Sequence, residues 1–84
     1  MKISFECGFI TKNELVIRDT KMYSYTFTDL ASGNNFTVFS IFPVKKYDTF
    51  KQLQSVKVDF DLLVAKNNVL KLKPIKEDIQ WKKI

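Results

Sequence analysis

Cys7, the aspartate pair Asp59 and Asp61, twelve aromatic residues and thirteen lysines are the side chains of this 84-residue sequence that could do chemistry. Catalysis finds little support among them. Cys7 alternates with Ile3, Phe5 and Phe9, as a core residue does, and the sequence has no histidine to activate a thiol. Asp59 and Asp61 fall on one strand face, where paired carboxylates do acid–base work. They also alternate with apolar residues and neighbour Lys57, the pattern of a solvated strand surface. Two glycines leave no loop to cradle a phosphate. A single cysteine and no histidine exclude zinc sites, histidine triads, disulfides and CxxC redox chemistry. The expectation is a protein that is not an enzyme, with no catalytic residue, metal or cofactor.

Binding chemistry is better represented. Tyr23, Tyr25 and Phe27 project from one side of one run, and Phe36, Phe39 and Phe42 follow in the next. Rings of this kind stack nucleobases at ~1–3 kcal/mol per base without regard to sequence, while nearby cations track phosphates. Two registers are open for this hairpin. Pairing Leu30 with Phe36 sets Phe39 and Ile41 beside Tyr23, Tyr25 and Phe27. A tight turn on Gly33-Asn34 sets Phe36, Val38 and Phe42 there instead. A one-residue slip turns every side chain to the other face. The competing use of these rings is the core, since aromatic side chains are the bulkiest filling a small barrel has.

The net charge is +5, and all of it lies beyond Phe42. Up to that residue four cations meet four carboxylates; after it ten lysines meet five carboxylates. A one-sided basic half points to an anionic partner. Thirteen of the fourteen cations are lysine. Lysine binds phosphate as a point charge, whereas bidentate base reading favours arginine. Lys45, Lys46 and Lys51 flank a connection, and Lys57, Lys66, Lys71, Lys73 and Lys76 line the last hairpin and its exit. A lysine-rich solvated surface is the plain alternative.

The elements that must position these groups are strands. Alternation with period two marks residues 2–10, 22–30, 36–42, 55–64 and 69–75, and 15–17 is a short apolar run that extends the first of them. All five asparagines fall between apolar runs, at 13, 34–35 and 67–68, where tight turns are expected. Gly8 suits a bend in a curled first strand. Pro43 ends the third strand. Tyr47, Phe50 and Leu53 then recur at helical spacing over 45–54, with Asp48 or Thr49 as cap. The expected fold is all-β with one short helix, a single domain over residues 1–84. A five-stranded barrel with its helix between strands three and four has the order of the OB fold. An SH3-like barrel and a two-sheet sandwich are the alternatives. Residues 76–84 read as a last edge strand or a docking tail.

The run YSYTFTDLASGNNFTVFSIFP, a short helical connection, and VKVDFDLLVAKNNVLKLKPI together resemble the small OB-fold single-stranded DNA-binding proteins of phages and mobile elements. The similarity is one of organisation and covers residues 22–75. It implies bases stacked on Tyr23, Tyr25 and one of Phe39 or Phe42, a backbone running past Lys66, Lys71 and Lys73, and a homodimer. Cellular members end in acidic recruiting tails, whereas this sequence ends Trp81-Lys82-Lys83-Ile84. Recruitment of replication enzymes through an acidic tip is therefore not expected.

Two functions follow. The first is binding of single-stranded DNA or RNA without catalysis, through Tyr23, Tyr25, Phe39, Phe42, Lys45, Lys46, Lys66, Lys71 and Lys73. The second is a protein-interaction module or assembly subunit, including a phage-type inhibitor of a host protein, with Trp81 as an interface residue. No apolar run approaches the ~20 residues that span a bilayer, and Met1-Lys2 opens no signal-peptide pattern, so the expected setting is cytoplasmic with no membrane partner.

Overall fold

The computed structural model describes residues 1–64 and 66–75. Its strands are β1 (Lys2–Ile17), β2 (Thr20–Asp29), β3 (Asn35–Ser40), β4 (Ser55–Val64) and β5 (Leu70–Pro74), with one turn of helix, α1 (Lys45–Asp48), between β3 and β4. All neighbours pair antiparallel in the order β3-β2-β1-β4-β5. The end strands β3 and β5 approach each other, so one five-stranded sheet nearly closes into a barrel. This is the all-β, OB-like order that the sequence pattern predicts. Among the described residues no helix is long and apolar enough to cross a membrane. The expected tail at 76–84 lies outside the described residues.

The barrel curls because β1 bends. Sixteen straight strand residues would span about 50 Å, and the molecule is 38 Å in its longest dimension. β1 pairs with β4 from Lys2 to Gly8 and with β2 from Cys7 to Ile17. The extra residue falls between Phe9 and Thr11, at Ile10 rather than at Gly8. Gly8 has a different use. It is flanked by Thr28 and Ser55 on both neighbouring strands, and a Cβ there would sit 3.3 Å from the Thr28 methyl.

Turn chemistry sets the hairpins. Arg18 and Asp19 both take positive φ, at 50° and 63°, in a two-residue turn between β1 and β2. Such tight hairpin turns match the twist of the strands they join. The turn expected at Asn13 is absent, because Asn13 pairs with Ser24 inside the ladder. Asn67 and Asn68 do turn the last hairpin, at φ 65° and 60°. In the middle hairpin the Asp29 amide donates to the Asn34 carbonyl at 2.8 Å, and Gly33, φ 77°, donates to the Asp29 carbonyl at 2.7 Å. The Ser32 hydroxyl donates to the Asp29 carboxylate at 2.7 Å and holds that carboxyl below its usual range.

The four-residue loop 30–33, closed by Asp29 against Asn34, replaces the expected tight turn on Gly33-Asn34 but turns the same residues inward as the second register: Phe27 stands opposite Phe36, Tyr25 opposite Val38 and Tyr23 opposite Ser40. The helix is shorter than the 45–54 stripe. Its N-cap Val44 makes no side-chain cap, and Thr49 closes its C-terminal end by donating to the Lys46 carbonyl at 2.7 Å. Tyr47 and Phe50 pack inward, whereas Leu53 is exposed and has a positive φ.

The core is aromatic. Tyr25, Phe27, Tyr47 and Phe60 are fully buried with Val38, Val44, Val58 and Cys7. Phe27 lies at its centre, with ring centroids of Phe9, Phe36, Tyr47 and Phe60 at 5.7, 5.6, 5.2 and 5.5 Å. The Tyr25 hydroxyl accepts the Val44 amide at 2.9 Å and so ties α1 to β2. Phe27→Ala is expected to cost about 3–5 kcal/mol, against a total of roughly 5–15 kcal/mol for a domain. Urea denaturation should show a large fall in midpoint, and an unchanged midpoint would refute the central place of this ring.

Burial, with help from the Asp29 charge, pushes the Cys7 thiol up to about 11 from an ordinary 9.0. A thiol kept neutral by the fold stabilises it below pH 9.0 and loses that contribution as pH rises toward 11. Native Cys7 should resist alkylation at mildly alkaline pH and react readily in urea. Cys7→Ala should flatten the stability loss between those two pH values; an equal slope in both proteins would contradict this.

Candidate nucleic-acid interface

A groove runs along the seam between β3 and β5. Phe36, Thr37 and Phe39 line it together with residues 70–73, and residues 39–42 together with 73–74, so the two strands run the same way. Among the described residues no ladder joins them. The groove comprises two adjoining hollows of about 530 and 260 Å³. Phe39, Met22 and Lys73 line both, so Phe39 marks the junction.

The strand pattern explains this composition. On β3, Phe36 and Val38 turn inward, so Phe39 must turn outward with Thr37. Phe39 is 41% exposed, whereas Phe27 and Tyr25 are fully buried. On β5, Leu72 packs on the core, so Lys71 and Lys73 take the opposite face. The bend in β1 carries Ile17 to the same hollow as Leu70. Exposed Ile17, Leu70 and Ile41 make the groove walls apolar. Among the described residues Lys71 and Lys73 enter no ion pair, and they face Leu63 and Asp61 across the ladder.

Four of the nine residues predicted for the site therefore meet at the seam: Phe39, Phe42, Lys71 and Lys73. The others do not. Tyr25 is sealed in the core, where both ring and hydroxyl are committed, so it offers no stacking face. Tyr23 is half-buried on the inner side of β2, with Lys12 and Lys21 each 5.4 Å from its ring centre. Those lysines are also engaged. Lys12 bonds Asp48 at 2.9 Å and Lys21 bonds Glu14 at 2.8 Å, and both are held above their usual pKa range by these contacts.

Lys45 and Lys46 are exposed on α1. Lys46 lies with Lys2 and Lys57 around Asp59, whose carboxyl is depressed first by the Ser4 hydroxyl and then by these cations. Lys66 is exposed on the turn between β4 and β5. The described lysines thus divide among several surfaces, and two of them, Lys71 and Lys73, line the groove.

Met22, Ile17, Ile41 and Leu70 were not singled out by the sequence, although a signal existed. Met22 shares its strand face with Ser24, Thr26 and Thr28, an apolar residue among hydroxyls. No group of three or more histidine, cysteine or acidic residues among the described residues can hold a metal ion. Comparison with protein-family models, with curated proteins and with solved structures finds no match to the chain.

Proposed function

We propose that this protein binds single-stranded nucleic acid without catalysis and without sequence reading, in the seam between β3 and β5. The observation that carries the proposal is the half-exposed Phe39 on an apolar floor beside Lys71 and Lys73, which enter no ion pair among the described residues. A base stacks on Phe39 and its phosphates run past the two lysines. Phe42 extends the surface along the smaller hollow. A duplex has its bases already stacked on each other, so it presents no free face to this ring. A cytoplasmic setting and the kinship with phage-type binding proteins belong to the same proposal.

A second reading has its own observation. Val16, Val64 and Leu70, on the two hairpin ends, are 73, 68 and 62% exposed. Apolar surface of this kind favours an assembly subunit, and a homodimer covers it in the simplest way. Sedimentation equilibrium separates the two: a monomer at all concentrations removes the assembly reading.

Titration of labelled oligo(dT) at rising salt tests the main proposal. Two phosphate contacts on a single strand give a log–log salt slope of about −1.4. Phe39→Ala should weaken binding by about 1–3 kcal/mol. Lys71→Ala and Lys73→Ala should each reduce the slope by about 0.7. Absence of binding at low salt, or full binding by the Phe39 variant, would overturn the proposal.

A further inference from the structure

We infer that the seam is also a site for a free anionic amphiphile, a carboxylate carried on an alkyl chain, which shuts out nucleic acid when it is seated. The site itself rests on the groove alone, and the exclusion rests on the nucleic-acid role proposed above. The larger hollow has a volume of about 530 Å³. Small-molecule sites are clefts of roughly 300–1,000 Å³, mostly apolar, with a few polar groups that fix orientation. Six of the nine described residues lining this hollow are apolar: Ile17, Met22, Phe36, Phe39, Leu70 and Leu72. Its charged members are Lys71 and Lys73, and among the described residues no carboxylate lines either hollow. The charge is of one sign and the walls are apolar.

The lysines set the head group. They stand two residues apart on β5, so they share a face about 7 Å apart along the strand. Their long, rotatable side chains can converge on one carboxylate. Asp61, opposite Lys73 in the ladder, bonds the N-terminal ammonium at 3.1 Å. The apolar walls set the tail. Leu70 and Ile17, beside Phe39 in the larger hollow, are 62 and 48% exposed. A base stacked on Phe39 covers one face of one ring. An alkyl chain running along β5 from Lys73 toward Leu70 covers Leu70 and Ile17 as well. Each methylene buried is worth about fourfold in affinity. Head and tail together occupy the two lysines and the Phe39 ring, the groups that a nucleic-acid strand needs, so the two ligands compete.

The test titrates the full chain, followed by backbone amide shifts, with hexanoate, octanoate and octanol below the concentrations at which they aggregate. Octanoate should bind about 16-fold tighter than hexanoate, two methylenes at about fourfold each. At low salt it should bind up to about fivefold tighter than octanol, which has the chain without the charge. The shifts should centre on Phe39 and residues 70–73. The double variant Lys71→Gln, Lys73→Gln should bind octanoate and octanol alike. The double variant Ile17→Asn, Leu70→Asn, which changes two exposed side chains, should lose most of the gain of octanoate over hexanoate. Equal binding of hexanoate and octanoate by the parent chain, equal binding of octanol and octanoate at low salt, or shifts away from the seam would overturn the inference. Binding to phosphatidylglycerol vesicles but not to octanoate would overturn it in favour of a bilayer surface. Octanoate should also displace labelled oligo(dT). Simultaneous binding of both would overturn the exclusion. Oligo(dT) binding with no octanoate binding would overturn the inference and leave the nucleic-acid role standing. Octanoate binding with no oligo(dT) binding would bring down that role and leave the amphiphile site.

Discussion

Phe27 and Phe36 face each other across the β2–β3 ladder, with ring centroids 5.6 Å apart in a stacked arrangement. The rest of the molecule follows from that contact. It commits Tyr25 and Val38 to the interior, since every second residue of a strand shares a face. It leaves Phe39 on the outside beside Thr37. The buried Tyr25 hydroxyl then receives the Val44 amide, which seats α1 and brings Tyr47 onto Phe27 at 5.2 Å. A chain this small buries a limited share of its surface. Aromatic rings fill most of its interior because each buries more apolar area than an aliphatic side chain.

The same parity argument builds the seam. Once Leu72 joins the core, Lys71 and Lys73 must point away from it. Once β1 takes an extra residue at Ile10, its far half changes face and carries Ile17 toward β5. An apolar side chain from one hairpin end and two cations from another thus reach one groove with no local sequence linking them. The barrel stops short of full closure there, and an open seam gives a ligand access to side chains of both edges.

Much of this was legible in the sequence. Alternation gave the strands, and Pro43 marked the end of the third. Lysines at 71 and 73 could be set on one face by spacing alone. Other features were not legible, for identifiable reasons. Tyr23, Tyr25 and Phe27 have the same parity whether they face water or core, and only the middle turn decides which rings join them. Asn13 suits a turn, yet the pairing of Leu15 and Ile17 with Met22 and Thr20 outweighs that preference. The turn residues that won, Arg18 and Asp19, lack the glycine that makes a tight hairpin obvious. Lysine clustering failed as a guide because total charge says nothing about which wall each ammonium group occupies.

The most direct measurement of the central claim is a map of backbone amide shifts in the labelled protein as a single-stranded oligonucleotide is added. The account predicts that the largest changes fall on β3 near Phe39 and on β5 at Lys71 and Lys73. Amides of the β1–β4 wall around Lys2, Lys46 and Lys57 should stay nearly still. Changes concentrated on that wall, with β3 and β5 silent, would contradict it.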